Sequence, residues 1–349
     1  MQGAHLSDGV HPTDAEIDRF SESFREAEAE IGRVLLGQNE AVRSVLVALF
    51  AGGHVLLEGP PGIGKTLLAR SLSRVLGVTF KRIQFTPDLM PSDVVGGNVF
   101  SQAEEAFVFR PGPVFTQVLL ADEINRAPAK TQAALLEAMS DHQVTIDGET
   151  RRLPEPFFTI ATQNPVESEG TYPLPEAQLD RFLVKVLIDH PPKEVEVALL
   201  QHYLGGFDPS GLAVGRTSDT PSGDGLRTVF DGEDIARMKR VARRVRVDPA
   251  VVDYIVTLVG RTRADPAVDL GASPRASISL LLCSQVVAAA EGRSYVVPDD
   301  VKELAGPVLR HRFLMQPDAE LEGIRPDDVV VRILADVPVP EGLAAARAR

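Results

Sequence analysis

The chain has 349 residues, of which 44% are hydrophobic and 24% are charged, and its formal net charge is -13. This composition is typical of a folded globular protein, no run of about 18 apolar residues predicts a membrane-spanning helix, and the acidic balance argues against nucleic acid as the main partner. Residues 1–18 lack the basic and apolar segments of a secretory signal. The single cysteine, Cys283, lies in an apolar run and permits no intrachain disulfide. We therefore expect a cytoplasmic protein in which this thiol is buried.

Two helices are predicted before the first strand. Thr13 and Glu16 have the spacing of a capping box, which predicts a helix that runs from there towards Val34. Asn39 is expected to cap a second helix, and this helix ends at Gly52.

The segment 59–66 fits the phosphate-binding pattern G-x-x-x-x-G-K-[ST] at every fixed position. A short apolar strand is predicted before it at 54–57 and a helix after it at 67–76, which is the context that this pattern requires. The glycines let backbone N–H groups converge on a phosphate, while Lys65 can reach the β- and γ-phosphates and Thr66 can offer its hydroxyl to Mg²⁺. The sequence therefore predicts that the chain binds a nucleoside triphosphate with Mg²⁺. The predicted nucleotide-binding residues are those of this segment and the first residue of the helix after it: Gly59, Pro60, Pro61, Gly62, Ile63, Gly64, Lys65, Thr66 and Leu67.

Strands then alternate with helical segments up to residue 190, which is typical of a three-layer α/β domain around a parallel sheet. Two hairpins interrupt this alternation, one with its tip at 101–106 and one that turns at Asp147-Gly148. The predicted strands are 78–84, 115–121, 157–162 and 182–188, and the predicted helix is 127–139.

Polar residues follow two of these strands. Asp122 and Glu123 come after the apolar run 118–121, where Asp122 can hold Mg²⁺ and Glu123 can polarise the attacking water. Asn164 ends the next strand. If that strand lies between the phosphate loop and the acidic pair, its amide can contact the γ-phosphate or the water. A turn into the following proline is the simpler structural interpretation of this asparagine.

Two arginines are candidates for contact with phosphate. Arg181 begins the last strand of the α/β half, where it is poorly placed for its own nucleotide but could reach that of a neighbouring subunit. Arg275 follows Ser273-Pro274 at a helix N-terminus, which is electrostatically unfavourable for a cation unless an anion lies nearby. From the residues alone, each is equally consistent with a surface cation.

Beyond Pro191-Pro192 the apolar pattern becomes helical, so we expect two domains, 1–190 and 191–349, of which the second is all helical. The Gly/Ser/Asp/Thr-rich stretch 205–225 is predicted to be a mobile loop. The predicted helices of this second domain are 193–204, 234–245, 249–261, 274–290, 299–310 and 324–334.

Taken together, these motifs resemble the MoxR family of AAA+ ATPases, and the resemblance covers nearly the whole chain. The resemblance implies ATP as the nucleotide and Mg²⁺ as its metal, and a fold with an AAA+ core, a parallel five-stranded sheet in three layers, plus a helical lid. The segments that carry the resemblance are 59–66, 120–128 (LADEINRAP), 161–165 (ATQNP), 170–182 (GTYPLPEAQLDRF), 271–276 (GASPRA) and 311–312 (HR).

The resemblance implies a role for each of the catalytic candidates. Asp122 and Glu123 correspond to Walker B, Asn164 to sensor 1, Arg181 to the arginine finger and Arg275 to sensor 2. In related branches with a displaced lid, sensor 2 acts across the subunit interface, so whether Arg275 acts in its own subunit stays open.

The family also implies a ring, usually a hexamer, with nucleotide sites between subunits. The hairpin at about 98–114 corresponds to the helix-2 insert of this branch, and 144–153 to the pre-sensor hairpin. Three residues are implied to line the adenine pocket: Leu36, Gly37 and Gln38.

The function implied by the family is chaperone-like remodelling or maturation of client proteins, with a von Willebrand A domain protein as partner. Two alternatives are a nucleic-acid motor or transcription activator, and a nucleotide switch that does not hydrolyse ATP. The acidic hairpin tip 101–106 would repel phosphates, which disfavours the first. The presence of Glu123, Asn164 and Arg181 disfavours the second.

Overall fold

The computed structural model describes residues 11–164, 171–207 and 225–340. Their helices, in chain order, are α1 (Asp14–Gly32), α2 (Asn39–Ala51), α3 (Lys65–Val75), α4 (Pro91–Val95), α5 (Ala129–Asp141), α6 (Glu176–Leu179), α7 (Lys193–Leu204), α8 (Gly232–Arg243), α9 (Pro249–Thr262), α10 (Pro274–Ala290), α11 (Pro298–Leu309), α12 (Pro317–Leu321) and α13 (Pro326–Asp336). Their strands are β1 (Val55–Glu58), β2 (Phe80–Gln84), β3 (Gly96–Ser101), β4 (Ala106–Pro111), β5 (Val118–Asp122), β6 (Gln143–Ile146), β7 (Glu149–Arg152), β8 (Phe158–Gln163), β9 (Val184–Leu187), β10 (Val268–Leu270) and β11 (Leu314–Met315).

Five of the strands form one parallel sheet in the order β2-β5-β8-β1-β9. The predicted parallel five-stranded sheet is thereby confirmed. Since β8 lies between β1 and β5, the segments that follow these three strands meet at one edge of the sheet, the usual place for a ligand in an open α/β fold. The phosphate loop, the pair Asp122-Glu123 and Asn164 all follow these strands.

The central strands are buried on both faces, which explains why they read as continuous apolar runs. Side chains alternate between two apolar clusters, as the two-residue period of a strand requires. Leu57 and Leu120 pack into the cluster that also receives the N-terminal helices and the lid. Leu56 and Leu119 pack on the opposite face.

The N-terminal helices begin almost where the sequence predicts. The Thr13 hydroxyl accepts the Glu16 N–H at 3.3 Å and a Glu16 carboxylate oxygen accepts the Thr13 N–H at 2.8 Å, so the capping box is confirmed. The prediction of Asn39 as the second cap was wrong by one residue. Gln38 has the non-helical backbone of the cap position and Asn39 is the first residue of α2.

Both predicted hairpins form. Strands β3 and β4 pair antiparallel with Phe100 opposite Phe107, next to the tip. Between β6 and β7, Asp147 and Gly148 both have positive φ, 51° and 84°. Positive φ at both central residues matches the twist of the flanking strands and is typical of two-residue hairpins.

The second half is mainly helical, which confirms the helical lid. Two predicted helices, 193–204 and 274–290, coincide with α7 and α10, and the others are displaced by one or two residues. The lid also contains a small antiparallel sheet of β10 and β11 that the sequence did not predict. Of the predicted loop 205–225, residues 208–224 lie outside the described part of the chain.

The two halves share a buried interior. Helices α1 and α2 pack against the lid helices α8 and α10. The Phe50 ring lies 5.6 Å from that of Phe20 and 5.5 Å from that of Phe230, measured between ring centroids. The Ser21 hydroxyl donates to the carbonyl of Ala290 at 2.7 Å. One apolar cluster therefore runs from the sheet through α2 into α10.

Two further observations concern the compositional expectations. Cys283 is fully buried in α10, where burial raises the pKa of its thiol to about 12. This confirms the expected burial of the thiol. No helix in the described ranges has both the length and the apolar character needed to cross a membrane.

Candidate nucleotide site

The phosphate loop joins β1 to α3 and curls at its glycines. Gly59 lies so close to the segment that follows β9 that a Cβ there would be 2.2 Å from the carbonyl oxygen of Ile188. Gly64 has a φ of +90°, which favours glycine, and it occupies the cap position of α3. Among the described residues no side chain caps this helix. Its first-turn N–H groups and positive end therefore suit a phosphate.

Lys65 lies across the loop. Its ammonium donates to the carbonyl of Gly59 at 2.8 Å and to that of Gln163 at 3.4 Å. Burial lowers the pKa of this ammonium, and the carboxylates of Asp122 and Glu123 oppose that shift. A phosphate in the loop would favour the charged form further.

A cavity of about 610 Å³ opens beside the loop, a size suited to a small-molecule ligand. It brings together most of the phosphate loop, the acidic pair and Asn164. The residues that line it are Pro61, Gly62, Gly64, Lys65, Thr66, Leu67, Arg70, Arg82, Gln84, Asp122, Glu123, Asn164 and Tyr203.

Asp122 ends β5 with both carboxylate oxygens engaged. The Thr162 hydroxyl donates to Oδ1 at 2.6 Å. Arg82 donates to Oδ2 from Nη2 at 2.7 Å and from Nε at 3.1 Å. Thr66 lines the same cavity, and carboxylate and hydroxyl oxygens are hard donors of the kind that Mg²⁺ prefers. These residues fit a Mg²⁺ ion held beside phosphates.

Glu123 leaves the strand in the left-handed region, with φ 55° and ψ 50°. Its N–H donates to the Thr162 hydroxyl at 2.8 Å, which supports this uncommon backbone. The carboxylate accepts from Gln84 Nε2 at 2.6 Å and lies 3.2 Å from Nε of Arg126. A backbone held in a sparsely populated region by its neighbours is typical of functional sites.

Asn164 follows β8 and is buried at the cavity wall. Because β8 lies between β1 and β5, this residue lies between the phosphate loop and the acidic pair. The condition that the sequence set for a phosphate-sensing amide is thereby met. Its contact with a γ-phosphate stays a prediction.

Arg181 lies at the opposite end of the sheet, where the parallel strands begin. It precedes β9, which runs parallel to β1, and the N–H of Leu183 donates to the carbonyl of His54, just before β1 begins. The phosphate loop begins beyond the opposite end of β1. A four-residue strand spans about 13 Å. The exposed Arg181 side chain is therefore remote from its own phosphate loop.

Arg275 lies on the same side as Arg181. Its guanidinium is 59% exposed and lies 3.6 Å from the carboxylate of Asp180, the residue before Arg181. Asp180 thus supplies the anion that offsets the unfavourable N-terminal position of this cation in α10. Neither arginine lines the cavity.

The three residues predicted for the adenine pocket do not line this cavity. The preceding residue, Leu35, packs against the phosphate loop, where a Cβ on Gly64 would lie 2.9 Å from its Cδ1. Gly37 has a φ of +72°, and a Cβ there would meet Val195 of α7 at 2.6 Å. Leu36 and Gln38 flank this contact between the first lid helix and the α1–α2 connection. Their role with adenine stays a prediction.

Several site residues were missed by sequence reasoning. Thr162 bridges Asp122 and Glu123, and a threonine in a buried strand gave no signal of this. Arg82 and Gln84 lie two residues apart on β2, so the strand period directs both to one face. That spacing was the available signal, but it also describes a solvent-facing strand.

A phosphate loop after β1, an acidic pair after the non-adjacent β5 and a polar residue after the strand between them define a P-loop NTPase of the AAA+ class. The comparisons with known proteins agree. The family described as ATPase family associated with various cellular activities (AAA) matches residues 54–184, and the AAA lid domain matches residues 260–333.

Relatives cover most of the chain. It is 45% identical to the uncharacterized protein YeaC of Bacillus subtilis, over 91% of this chain and 95% of the relative. It is 42% identical to Chaperone MoxR1 of Mycobacterium tuberculosis, over 89% of this chain and 81% of the relative. A crystal structure of a candidate ATPase from Cytophaga hutchinsonii is 36% identical, with a TM-score of 0.83 over 94% of this chain and 98% of that one. The chain belongs to the MoxR family of AAA+ ATPases.

Proposed function

We propose that this protein hydrolyses ATP, with Mg²⁺, at a site completed by a second copy of the same chain. The cavity supports the first part of this proposal. The uncapped start of α3 and the Lys65 ammonium suit the phosphates, and Asp122 and Thr66 provide oxygens for Mg²⁺. When bound, Mg²⁺ would supply positive charge that offsets the negative charge of the phosphate oxygens, so that they repel an attacking water less.

We assign Glu123 the role of activating the attacking water. Its carboxylate projects into the cavity next to the acidic strand end, where it can accept a proton or orient the water that attacks the γ-phosphate. Asn164 on the neighbouring strand end can hold that water or the γ-phosphate from the other side. Gln84 and Arg126 hold the Glu123 carboxylate, which limits its freedom before a substrate arrives.

The observation that carries the second part is the position of the two expected cations. Arg181 and Arg275 lie together at the end of the sheet away from the phosphate loop. Asp180, the residue before Arg181, forms an ion pair with Arg275. Neither can neutralise charge in its own cavity, yet both project from the surface. An arginine supplied by a neighbour is worth about 10³- to 10⁵-fold in rate where such sites have been measured. A head-to-tail ring, usually a hexamer in this family, would bring this surface to the next cavity.

A mixing experiment tests this arrangement. Arg181→Ala and Lys65→Ala should each abolish most turnover by themselves. In assemblies formed from both, a site with an intact Lys65 and a neighbour's intact Arg181 should regain activity. Random 1:1 mixing makes about one quarter of the sites complete in a head-to-tail ring. Turnover that stays at the level of the separate variants would refute action across the interface.

We further propose that this cycle remodels client proteins in the cytoplasm, with a von Willebrand A domain protein as partner. A relative that covers most of the chain is named a chaperone, which supports the first assignment. The hairpin of β3 and β4 offers a surface for binding a client protein. Phe100 and Phe107 lie edge to face, 5.5 Å apart, and are 52% and 73% exposed. An exposed aromatic pair beside an acidic tip suits an apolar segment of protein better than a phosphate backbone.

A further inference from the structure

A buried arginine of the lid holds the segment that carries Arg181. The side chain of Arg312 is only 1% exposed. Its Nε donates to Oδ1 of Asp180 at 2.8 Å, and its Nη atoms donate to the carbonyls of Phe182 at 2.7 Å and Leu183 at 3.0 Å. The guanidinium therefore contacts the residues on both sides of Arg181 at once.

The neighbours of Arg312 strengthen this contact. His311 donates from Nε2 to the carbonyl of Phe182 at 3.0 Å. Burial lowers the pKa of this imidazole well below its usual value, so it stays neutral. Arg312 also donates to the carbonyl of Val308 at 2.6 Å in α11. Two consecutive residues after α11 are thus bound to the polypeptide that leads into β9.

Asp180 extends the contact to Arg275. While Oδ1 accepts from Arg312, Oδ2 accepts from the Ser273 hydroxyl at 3.2 Å and lies 3.6 Å from Nη1 of Arg275. The carboxylate of Asp180, the residue before Arg181, therefore contacts both the segment after α11 and the start of α10. Both exposed arginines are anchored to the same buried cation through this group.

We propose that Arg312 is a positioning residue for hydrolysis in the adjacent subunit, because it fixes Asp180 and thereby the places from which Arg181 and Arg275 project. The inference rests on the proposed function, since it requires Arg181 to act across an interface. The planar fork of an arginine is what binds a carboxylate and two carbonyls together, and a lysine cannot reproduce it. A displacement of about 1 Å at a catalytic group costs about 10²-fold in rate.

The variant Arg312→Lys tests the proposal because it keeps the charge and removes the fork. By itself it should lower kcat by about 10²-fold. Its KM for ATP should change by less than about twofold, because the cavity of its own chain is untouched. Since a folding defect could also lower kcat, mixed assemblies provide the decisive measurement.

Two mixtures separate the explanations. Arg312→Lys with Lys65→Ala should recover turnover, because the Lys65→Ala chain supplies a well-placed Arg181 to an intact cavity. Arg312→Lys with Arg181→Ala should stay inactive, because neither chain supplies a working finger. The reverse pattern, recovery only with Arg181→Ala, would show that Arg312 serves its own cavity and would overturn the proposal.

Controls keep this test independent of the proposed function and of folding. If Arg181→Ala with Lys65→Ala also fails to recover, the interface site itself is wrong. If only the Arg312→Lys mixture fails, the present inference is wrong.

Arg293→Lys is the matched folding control, because Arg293 makes a bidentate pair with the fully buried Asp300 elsewhere in the lid. It should lower Tm and leave kcat near wild type. Should Arg312→Lys not fold, Asp180→Asn should give the same mixing pattern.

Discussion

The hydroxyl of Thr162 lies 2.6 Å from Oδ1 of Asp122 and accepts the N–H of Glu123 at 2.8 Å. One buried side chain on β8 therefore orients both acidic residues that follow the neighbouring strand. It donates to the carboxylate assigned to Mg²⁺ and supports the left-handed backbone of the residue assigned to the water. Groups that orient metal ligands in this way contribute to activity without touching substrate.

Thr162→Val should lower turnover by about 10- to 100-fold, the range typical of groups that orient metal ligands. It leaves a carboxylate oxygen and an N–H without their partner, so we also expect unfolding free energy to fall by about 1–3 kcal/mol. Steady-state kinetics and denaturant unfolding measure both effects. Thr159→Val is the matched control on the same strand. The Thr159 hydroxyl is buried without a hydrogen-bond partner in the described structure, so its loss should not lower stability.

Glu123→Gln should retain nucleotide binding while turnover falls by at least about 10²-fold, because an amide cannot accept the proton of the attacking water. Binding of a fluorescent ATP analogue and phosphate release report the two quantities separately. Glu137→Gln on the exposed face of α5 should affect neither. Unchanged phosphate release from Glu123→Gln would remove this residue from the role assigned to it.

Acidification should destabilise the fold through His54. This buried imidazole accepts the Thr159 N–H at Nδ1 and contacts the carbonyl of Met139 from Nε2, both at 3.0 Å. Burial lowers its pKa to about 4. Since the unfolded chain binds the proton more tightly, stability is complete above about pH 6.5 and falls as the pH drops towards 4, by about 3 kcal/mol.

Denaturant unfolding at several pH values tests this dependence. His54→Gln should be less stable at pH 7 but should lose part of the decline between pH 6.5 and 4. The exposed His190 provides the control, since His190→Gln should keep the full decline. Identical pH profiles for wild type and His54→Gln would contradict the assignment.

The hairpin surface should matter for clients and not for ATP. In a Glu123→Gln background with ATP bound, the assembly should retain client proteins in a pull-down. Adding Phe107→Ser should reduce the captured protein, because it removes the most exposed apolar side chain of the pair. ATP binding should not change. Val331→Ser, which changes a 65% exposed apolar side chain on α13, should leave capture intact. If Phe107→Ser and Val331→Ser captured equal amounts of client protein, the hairpin would not be the surface that contacts clients.

The elements with local signals were predictable from sequence. The phosphate loop, the capping box at Thr13 and the Asp147-Gly148 turn each depend on a few neighbouring residues, and the structure has all three. The parallel sheet followed from strands that alternate with helices. Even so, Asn39 was misplaced by one residue, because an asparagine at a helix start satisfies both the cap and the first helical position.

Contacts between distant segments could not be predicted in this way. Strands β10 and β11 are three and two residues long and pair across more than forty residues, so neither has a readable period. Arg312 and Asp180 meet across 132 positions. In the sequence, a histidine and an arginine after a helix resemble many solvated helix ends, and only the folded chain shows that this arginine is buried.

The shared interior of α2 and α10 has a mechanical consequence. Sliding these helices apart would expose apolar surface at about 25 cal/mol for every Å², and the same cluster also includes β1, the strand that leads into the phosphate loop. Separating the lid from the sheet at this contact therefore costs free energy, and the phosphate loop is tied through β1 to the same buried surface.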